Sequence, residues 1–396
     1  AGGPDSTRAP YRPRHRFLRV LVAAWKWLVA AVLSASPVTS VLIVGWVYRL
    51  MQRSALSTWH RLGASDESFT AFLDRHDDTR AHVHWPNWML GQRWTRSIRG
   101  GDAAASPAVV RRIAGALAGS AWVNFRLGVA GVFNTWVLTL PACAMWLSAW
   151  YAGWNNSFHK GYEQAWIGPM TGWIGVLLFI GAMVYVPTAQ ARQAVTGRWR
   201  SFYQFGLVWR LIRRSPWKHA ALAAAYCALS VPVMVLKTVP IGFDRIEDYE
   251  QMTNAQVLGM LDRYFFWCAV AVFAIFTALR LWAARIYATT MIGALRCGAV
   301  APGELADTER RWLGRLDLLE APPRPSRHVI VRSLGWAGQR AGQVVVAGAL
   351  IVIWFVFVAQ IFVSEFLVYH PVVGWMNQPL VQLPWFRYVP QALTGS

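Results

Sequence analysis

The chain has 396 residues, of which 55% are hydrophobic and 15% charged, and 39 Lys and Arg against 19 Asp and Glu give a formal net charge of +20. A soluble chain carries about 25% charged residues, so the composition excludes an ordinary soluble domain. The 24 Trp residues favour a protein that places indole rings at membrane interfaces. Because apolar sequence separates the basic clusters, lipid headgroups account for the positive charge more economically than nucleic acid.

Residues 1–50 combine a basic N-terminus with a hydrophobic hairpin or re-entrant element. The apolar stretch Phe17–Ser36 is long enough to span a bilayer, but the segment from Ser34 to Ser40 interrupts it, with Pro37 in its middle. The second arm, Val41–Leu50, is too short to cross alone. A single span through residues 17–50 is the alternative, but it would put the Arg-rich N-terminus outside, against the positive-inside rule, so we predict that the chain turns back at Pro37.

Residues 51–126 form a predicted cytoplasmic amphipathic region. The segment that follows Ser65 predicts a short helix through Phe69 and Phe72. Further along, an Arg- and Trp-rich stretch is typical of a helix that lies on a membrane surface. Its predicted lipid-interface residues are Trp85, Trp88, Arg93, Trp94, Arg96 and Arg99.

Residues 127–368 form a predicted membrane domain, because a helix needs about 20 apolar residues to cross a bilayer core. Five stretches meet this requirement: Leu127–Ala152, Thr171–Ala189, His219–Val239, Tyr264–Ile286 and Val344–Val368. Basic loops 190–218 and 287–343 separate them, and the second contains a predicted amphipathic helix at Glu304–Leu319. The predicted fold is an all-α polytopic transmembrane bundle of about five spans plus the N-terminal element.

Charge predicts the orientation. The regions Arg49–Arg126, Arg192–Lys218 and Arg280–Arg340 are rich in Arg, whereas the intervening loops are nearly neutral or acidic. The positive-inside rule puts the three basic regions and the N-terminus in the cytoplasm, and the tail 369–396 in the periplasm. An Arg-rich, Lys-poor composition is typical of GC-rich bacteria, so the predicted location is the bacterial inner membrane.

Three apolar elements run into basic helical extensions, at Trp46–Arg49, Ala189–Arg192 and Ala283–Tyr287. An internal repeat would produce this similarity, but positively charged cytoplasmic flanks produce it as well. Small residues that allow helices to approach closely recur in the pairs Gly115/Gly119, Gly168/Gly172 and Gly338/Gly342. Ordinary tolerance of glycine in membrane helices is the alternative for these pairs.

Candidate chemistry is sparse. His76, His82 and His84 lie near several Asp residues and are candidate transition-metal ligands, with a solvated loop as the alternative. The four Cys residues are scattered without a CxxC spacing, and no nucleotide-binding or hydrolase motif is present. No His lies in the middle of a predicted span, so we predict no haem or other cofactor. The sequence predicts no catalytic residue and does not favour an enzyme.

Polar residues inside predicted membrane segments indicate a possible transport path. The candidates are Lys26, Asn134, Lys237 and Glu365. Lys237 is close enough to a span end to extend to the headgroups, and Glu365 lies about one turn from the outer end of its span. Lys26, near the middle of the N-terminal arm, is the least expected of the four.

Several short segments resemble uncharacterised bacterial membrane proteins of a domain-of-unknown-function family. They are Ser36–Ser40, Gly45–Leu50, Trp85–Trp88, Pro187–Ala191 and Gly197–Phe202. The resemblance covers about half of the chain and implies a polytopic fold, without an activity or catalytic residues.

These observations favour a non-catalytic integral membrane subunit or scaffold of a larger bacterial assembly, which binds anionic phospholipids and other membrane subunits. The alternative is a transporter or channel for a small solute or lipid. A membrane enzyme that acts on lipid-linked substrates, with the three His residues at its site, is the third hypothesis.

Overall fold

The computed structural model describes residues 16–63, 67–76, 107–149, 166–245 and 249–319, and single positions at 333–348 and 377–385. Within these ranges the regular elements are helical. The α-helices are α1 (Arg16–Leu33), α2 (Pro37–Leu62), α3 (Phe69–Arg75), α4 (Pro107–Ala149), α5 (Ile167–Thr196), α6 (Phe205–Arg214), α7 (Pro216–Thr238), α8 (Asn254–Arg296) and α9 (Asp307–Arg315). A 3₁₀ helix, Trp199–Tyr203, joins α5 to α6.

Three of these helices contain segments that are long and apolar enough to cross a membrane: Leu117–Ala149 of α4, Ile167–Thr196 (α5) and Asn254–Arg296 (α8). They coincide with three of the five predicted spans, which confirms an all-helical fold compatible with a membrane. The third predicted span in chain order, His219–Val239, coincides with α7, which is not among these three helices. The fifth lies almost entirely outside the described residues.

The chain reverses between α1 and α2, as the sequence predicted. The α1 helix ends at Leu33, and α2 begins at Pro37, where proline is favoured because the first helical N–H has no intrahelical partner. The rings of Trp27 and Trp46 are 6.3 Å apart, whereas an unbroken helix would separate them by about 28 Å. The second arm is longer than expected, since α2 continues to Leu62 instead of ending near Leu50.

The α2, α5 and α8 helices form the centre of the bundle and run in the same direction. Trp46 of α2 stacks on Phe273 of α8 at 6.2 Å, and further along both helices the indole N–H of Trp59 donates to the Ala288 carbonyl at 3.0 Å. The Gln52 amide of α2 donates to the Val195 carbonyl of α5 at 3.1 Å. The three basic extensions noted in the sequence are therefore brought together in space.

The α4 helix crosses α2 in the opposite direction with very little separation between their backbones. A Cβ atom at Gly45 would overlap the Asn124 carbonyl, and one at Gly128 would overlap the Val41 carbonyl. Glycine is thus required at both positions for the crossing. The glycine pair that the sequence suggested on α4 does not serve this purpose among the described residues, because nothing lies within 4 Å of a Cβ at Gly115 or Gly119.

Short helices cover one end of the central helices. The α3 helix begins after Ser68, whose side chain caps it, so the predicted short helix is present three residues beyond Ser65. The rings of Phe72 (α3) and Trp312 (α9) are 5.8 Å apart, and both side chains are buried in the same cluster as the ends of α2 and α8. The predicted helix in the last basic loop is also present, as the shorter α9.

Candidate functional site

Among the described residues, the interior of the bundle contains four charged side chains whose burial the sequence did not predict: Arg49, Arg192, Arg280 and Glu309. Arg49, Arg192 and Arg280 belong to the Arg-rich regions that the charge pattern assigned to the cytoplasmic side, and they lie on α2, α5 and α8 respectively. A charge inside a helical bundle needs polar partners, because removing it from water costs about 3 kcal/mol or more. Their partners define the polar interior.

Arg192 and Glu309 form a fully buried ion pair, with both side chains 0% exposed. The guanidinium donates twice, from Nε to Oε1 at 3.1 Å and from Nη2 to Oε2 at 3.3 Å. Glu309 Oε1 also accepts from the Tyr287 hydroxyl, and Oε2 accepts from the Ala306 N–H at 2.8 Å. The carboxylate is therefore hydrogen-bonded by α5, α8 and the start of α9, and it ties these three elements together.

Local sequence explains how the two partners meet. The α5 helix ends at Thr196 and is capped by Gly197, which has φ +68°, a backbone conformation that glycine adopts without strain. Glu309 is the third residue of α9, where a side chain can reach back to the free N–H groups at the helix start. The acidic residues in the first turn of α9 are a sequence signal that this helix start could bind a basic side chain. Only the structure shows that Glu309 binds Arg192.

Asn134, a predicted transport residue, is a buried junction between three segments. Its side-chain amide donates to Gln193 Oε1 at 3.1 Å and to the Trp199 carbonyl at 3.2 Å, and its oxygen accepts from the Tyr203 hydroxyl at 3.0 Å. These bonds hold α4 against α5 and the 3₁₀ helix. Arg49 makes a similar bridge from α2 to α4, donating to Asn124 at 2.9 Å.

Arg280 belongs to a second polar chain that crosses the bundle. Its Nε donates to Gln190 Oε1 at 3.2 Å, and Gln190 in turn donates to the Thr135 hydroxyl at 2.7 Å. Its Nη2 donates to the Val381 carbonyl at 3.3 Å. Part of the segment predicted as a periplasmic tail is thus packed into the bundle, and Asn377, which binds the chain at Leu383, is also buried.

Among the other predicted site residues, the structure describes the surroundings of Lys26 and His76. Lys26 of α1 is 7% exposed. His76 packs its ring 4.8 Å from that of Phe72, and its carbonyl accepts from Arg315 at 3.5 Å. The remaining candidates lie outside the described residues or have undescribed side chains: His82, His84, Lys237, Glu365, Trp85, Trp88, Arg93, Trp94, Arg96 and Arg99.

No group of three or more His, Cys, Asp or Glu side chains in the described ranges could hold a metal ion. The metal hypothesis for His76, His82 and His84 stays a prediction, because two of the three lie outside those ranges.

A surface rich in Trp and Arg occupies the segment 199–217. The sequence predicted this segment only as part of the basic loop 190–218. Its exposed aromatic side chains are Trp199, Phe205, Trp209 and Trp217, and its exposed basic ones are Arg200, Arg213 and Arg214. We call these seven residues the Trp/Arg surface. Rings connect much of it, since Tyr203 contacts both Trp199 at 6.1 Å and Phe205 at 6.4 Å.

The Trp/Arg surface is held by the opposite face of α6. That face buries four aliphatic side chains in the bundle: Leu207, Val208, Leu211 and Ile212. Between the buried and exposed faces of α6, Arg210 forms an ion pair with Glu304 and donates to the Ala299 carbonyl at 3.2 Å. The α6 helix is therefore amphipathic and anchored, with its aromatic and basic residues facing outward.

The Arg210–Glu304 pair predicts a pH-dependent tether. The Arg210 guanidinium holds the pKa of Glu304 below its ordinary value, so the pair stabilises the fold above the unfolded-state pKa and is lost as pH falls through the folded-state pKa. We expect the melting temperature of wild type to exceed that of Arg210→Gln near neutral pH, and the difference to shrink on acidification. A Glu304→Gln background, in which Arg210→Gln should have no pH-dependent effect, is the control.

The described chain is an all-helical protein with three helices able to cross a membrane. Neither the protein-family models nor the curated proteins nor the solved structures contain a match to the chain. The resemblance to uncharacterised bacterial membrane proteins therefore stays a prediction.

Proposed function

We propose that this protein is a non-catalytic, multi-pass subunit or scaffold of the bacterial cytoplasmic membrane that binds anionic phospholipid. The observation that carries the proposal is the anchored Trp/Arg surface on the segment 199–217. Trp side chains favour the headgroup region, where an apolar ring and an N–H can both be accommodated. Basic side chains near an anionic leaflet contribute about 1 kcal/mol each.

The position of this surface at one end of an apolar bundle supports the same interpretation. It follows directly after α5, whose apolar part exposes large side chains such as Trp173 at 48% and Leu177 at 60%. A helix that lies across the end of an apolar span meets the membrane surface. The Trp/Arg surface therefore supports lipid binding, but it lies at 199–217 and not in the segment 85–99 that contains the predicted lipid-interface residues.

The proposed topology has about five spans, with the N-terminus and basic loops in the cytoplasm and the C-terminus in the periplasm. The parallel direction of α2, α5 and α8 supports it, since each ends in a basic segment at the same side of the bundle. Exposed apolar side chains on α1 and α5 supply surface for lipid or for other membrane subunits.

Lipid titration tests the proposal. We expect the melting temperature of the detergent-solubilised protein to rise more with added phosphatidylglycerol than with phosphatidylcholine, because only phosphatidylglycerol carries a net negative charge that attracts the basic side chains. An Arg213→Gln/Arg214→Gln variant should lose most of the selective gain. Arg263→Gln is the control, because it removes an exposed charge from the N-terminal part of α8. It should keep the selective gain when the losses are compared per charge removed. Equal gains from both lipids would contradict the proposal.

A further inference from the structure

Arg49 is a buried guanidinium that uses only one of its three nitrogens within the described chain. Its Nη1 donates to Asn124 Oδ1 at 2.9 Å and to Ser120 Oγ at 3.2 Å. The side chain is 7% exposed, and its Nε is buried without a hydrogen-bond partner. No ion pair among the described residues includes Arg49. Arginine does not deprotonate in proteins, so a positive charge lies here between α2 and α4 with neutral partners alone.

Arg192 shows what the unused edge of such a guanidinium binds in this chain. Its Nε and Nη2 donate to the two carboxylate oxygens of Glu309, at 3.1 Å and 3.3 Å. Two parallel N–H groups on two oxygens of one anion make a strong and specific pair with a carboxylate or a phosphate. The Nε and Nη2 of Arg280 also have acceptors. Among the three buried arginines of the described chain, Arg49 alone has an Nε without an acceptor.

Asn124 supplies a further donor on the group that Arg49 contacts. Its side chain is 0% exposed, and its Nδ2 has no hydrogen-bond partner in the described ranges. Turning the amide round would not satisfy it, because Arg49 only donates and Oδ1 must face the guanidinium. The close crossing at Gly45, one turn before Arg49, holds the backbone of Asn124 against α2 and so keeps the two side chains together.

This pair lies near the end of an apolar span. The apolar part of α4 begins at Leu117, so Ser120 and Asn124 are within about two turns of its start. Trp122, which lies between them in sequence, is 65% exposed, and its ring stacks on that of Phe125 at 6.1 Å. An exposed Trp at a span end favours the headgroup region of the bilayer. The phosphate groups of phospholipids are therefore at the depth of Arg49.

We propose that Arg49 and Asn124 form a binding site for the phosphodiester group of one membrane phospholipid between α2 and α4. One free phosphate oxygen accepts from Nε and the other from Nη2, as the carboxylate of Glu309 does at Arg192. Asn124 positions the guanidinium and offers its Nδ2 as a third donor. The single negative charge of the phosphodiester balances the guanidinium, whereas a water molecule leaves it unbalanced.

The site goes beyond the proposed function and does not depend on the Trp/Arg surface. That surface responds to the net charge of a lipid, whereas Arg49 binds the phosphate itself. Zwitterionic phosphatidylcholine, which carries the same phosphodiester, is therefore a ligand for this site and a poor one for the Trp/Arg surface. A failed test at Arg49 with phosphatidylcholine leaves the preference of the Trp/Arg surface for phosphatidylglycerol untouched, and the reverse also holds.

Titration of the full-length protein in a phosphate-free detergent with short-chain phosphatidylcholine tests the site. We expect the melting temperature to rise along a saturable curve, and diacylglycerol of the same chain length, which lacks the phosphate, to give no such curve. Arg49→Lys keeps the charge but removes the two-pronged edge, so its midpoint should lie at about tenfold higher lipid. Arg263→Lys, the same change at an exposed position of α8, should leave the midpoint unchanged.

Three results would overturn the proposal. One is an equal response to phosphatidylcholine and diacylglycerol, which would show that acyl chains alone are bound. Another is an Arg49→Lys midpoint equal to that of wild type, even if the melting temperature without lipid falls. The third is an equal rise with inorganic phosphate at the same concentration, which would assign the site to free phosphate instead of lipid.

Ser120→Asp keeps the proposal testable if Arg49→Lys does not fold. It places a carboxylate where the Ser120 hydroxyl oxygen lies 3.2 Å from Nη1 of Arg49. This carboxylate replaces the lipid as counter-charge, so the melting temperature without lipid should rise and the response to phosphatidylcholine should fall. Ser120→Asn, which has the same size without the charge, should change both much less. A Ser120→Asp response equal to that of wild type would also overturn the proposal.

Discussion

Replacement of Glu309 by Gln should destabilise the protein by about 3–5 kcal/mol, because it leaves the Arg192 guanidinium buried without a counter-charge. The substitution keeps the size of the side chain but removes the charge that α5 and α8 bind through Arg192 and Tyr287. We expect the free energy of unfolding, measured by chemical denaturation in detergent through Trp fluorescence, to fall by this amount. The protein's 24 Trp residues make the signal strong.

Two further variants separate the ion pair from a general effect of lost charge. Glu304→Gln removes an exposed carboxylate from the same segment and should cost far less. The double variant Arg192→Met/Glu309→Leu should recover much of the loss, because an apolar pair of similar volume carries no desolvation cost. An unfolding free energy for Glu309→Gln equal to that of Glu304→Gln would contradict the structural role given to this pair.

Alanine at Gly128 should destabilise the bundle by about 1–3 kcal/mol or more, since the new methyl group would overlap the Val41 carbonyl. A backbone atom cannot rotate away, so α2 and α4 would have to separate. Gly45→Ala should behave in the same way against the Asn124 carbonyl. The measurement is again the free energy of unfolding in detergent.

Gly119→Ala is the matched control on the same helix. No atom of the described residues lies within 4 Å of a Cβ at that position, so the substitution should be neutral or stabilising by about 0.5–1 kcal/mol through helix propensity. A loss of stability in Gly119→Ala equal to that in Gly128→Ala would show that glycine matters for a reason other than the helix crossing.

Hydropathy and proline chemistry predicted much of the fold. Apolar stretches about 20 residues long located α5, and Pro37 located the reversal after α1, because both properties act within a short segment. The end of α2 was predicted too early. Arg49 and Arg53 interrupt the apolar pattern, but the helix continues to Leu62, and this extension packs against α5 through Gln52 and against α8 through Trp59.

The polar interior was much less predictable. Positive charge at the end of a span ordinarily marks a cytoplasmic flank, so the charge pattern does not predict that Arg192 and Arg280 are buried. Their burial depends on partners far away in sequence, Glu309 for one and Val381 for the other. No local pattern carries that information. Asn134 was correctly noted as polar within a span, but its three bonds to α5 and the 3₁₀ helix required the tertiary structure.

Native mass spectrometry of the protein extracted from vesicles with equal phosphatidylglycerol and phosphatidylcholine tests the proposed lipid binding most directly. Wild type should retain mainly phosphatidylglycerol, because the Trp/Arg surface combines interfacial rings with positive charge. The triple variant Arg200→Gln/Arg213→Gln/Arg214→Gln should lose that preference, while Arg263→Gln keeps it. Retention of both lipids in equal amounts by wild type, or an unchanged preference in the triple variant, would contradict the account.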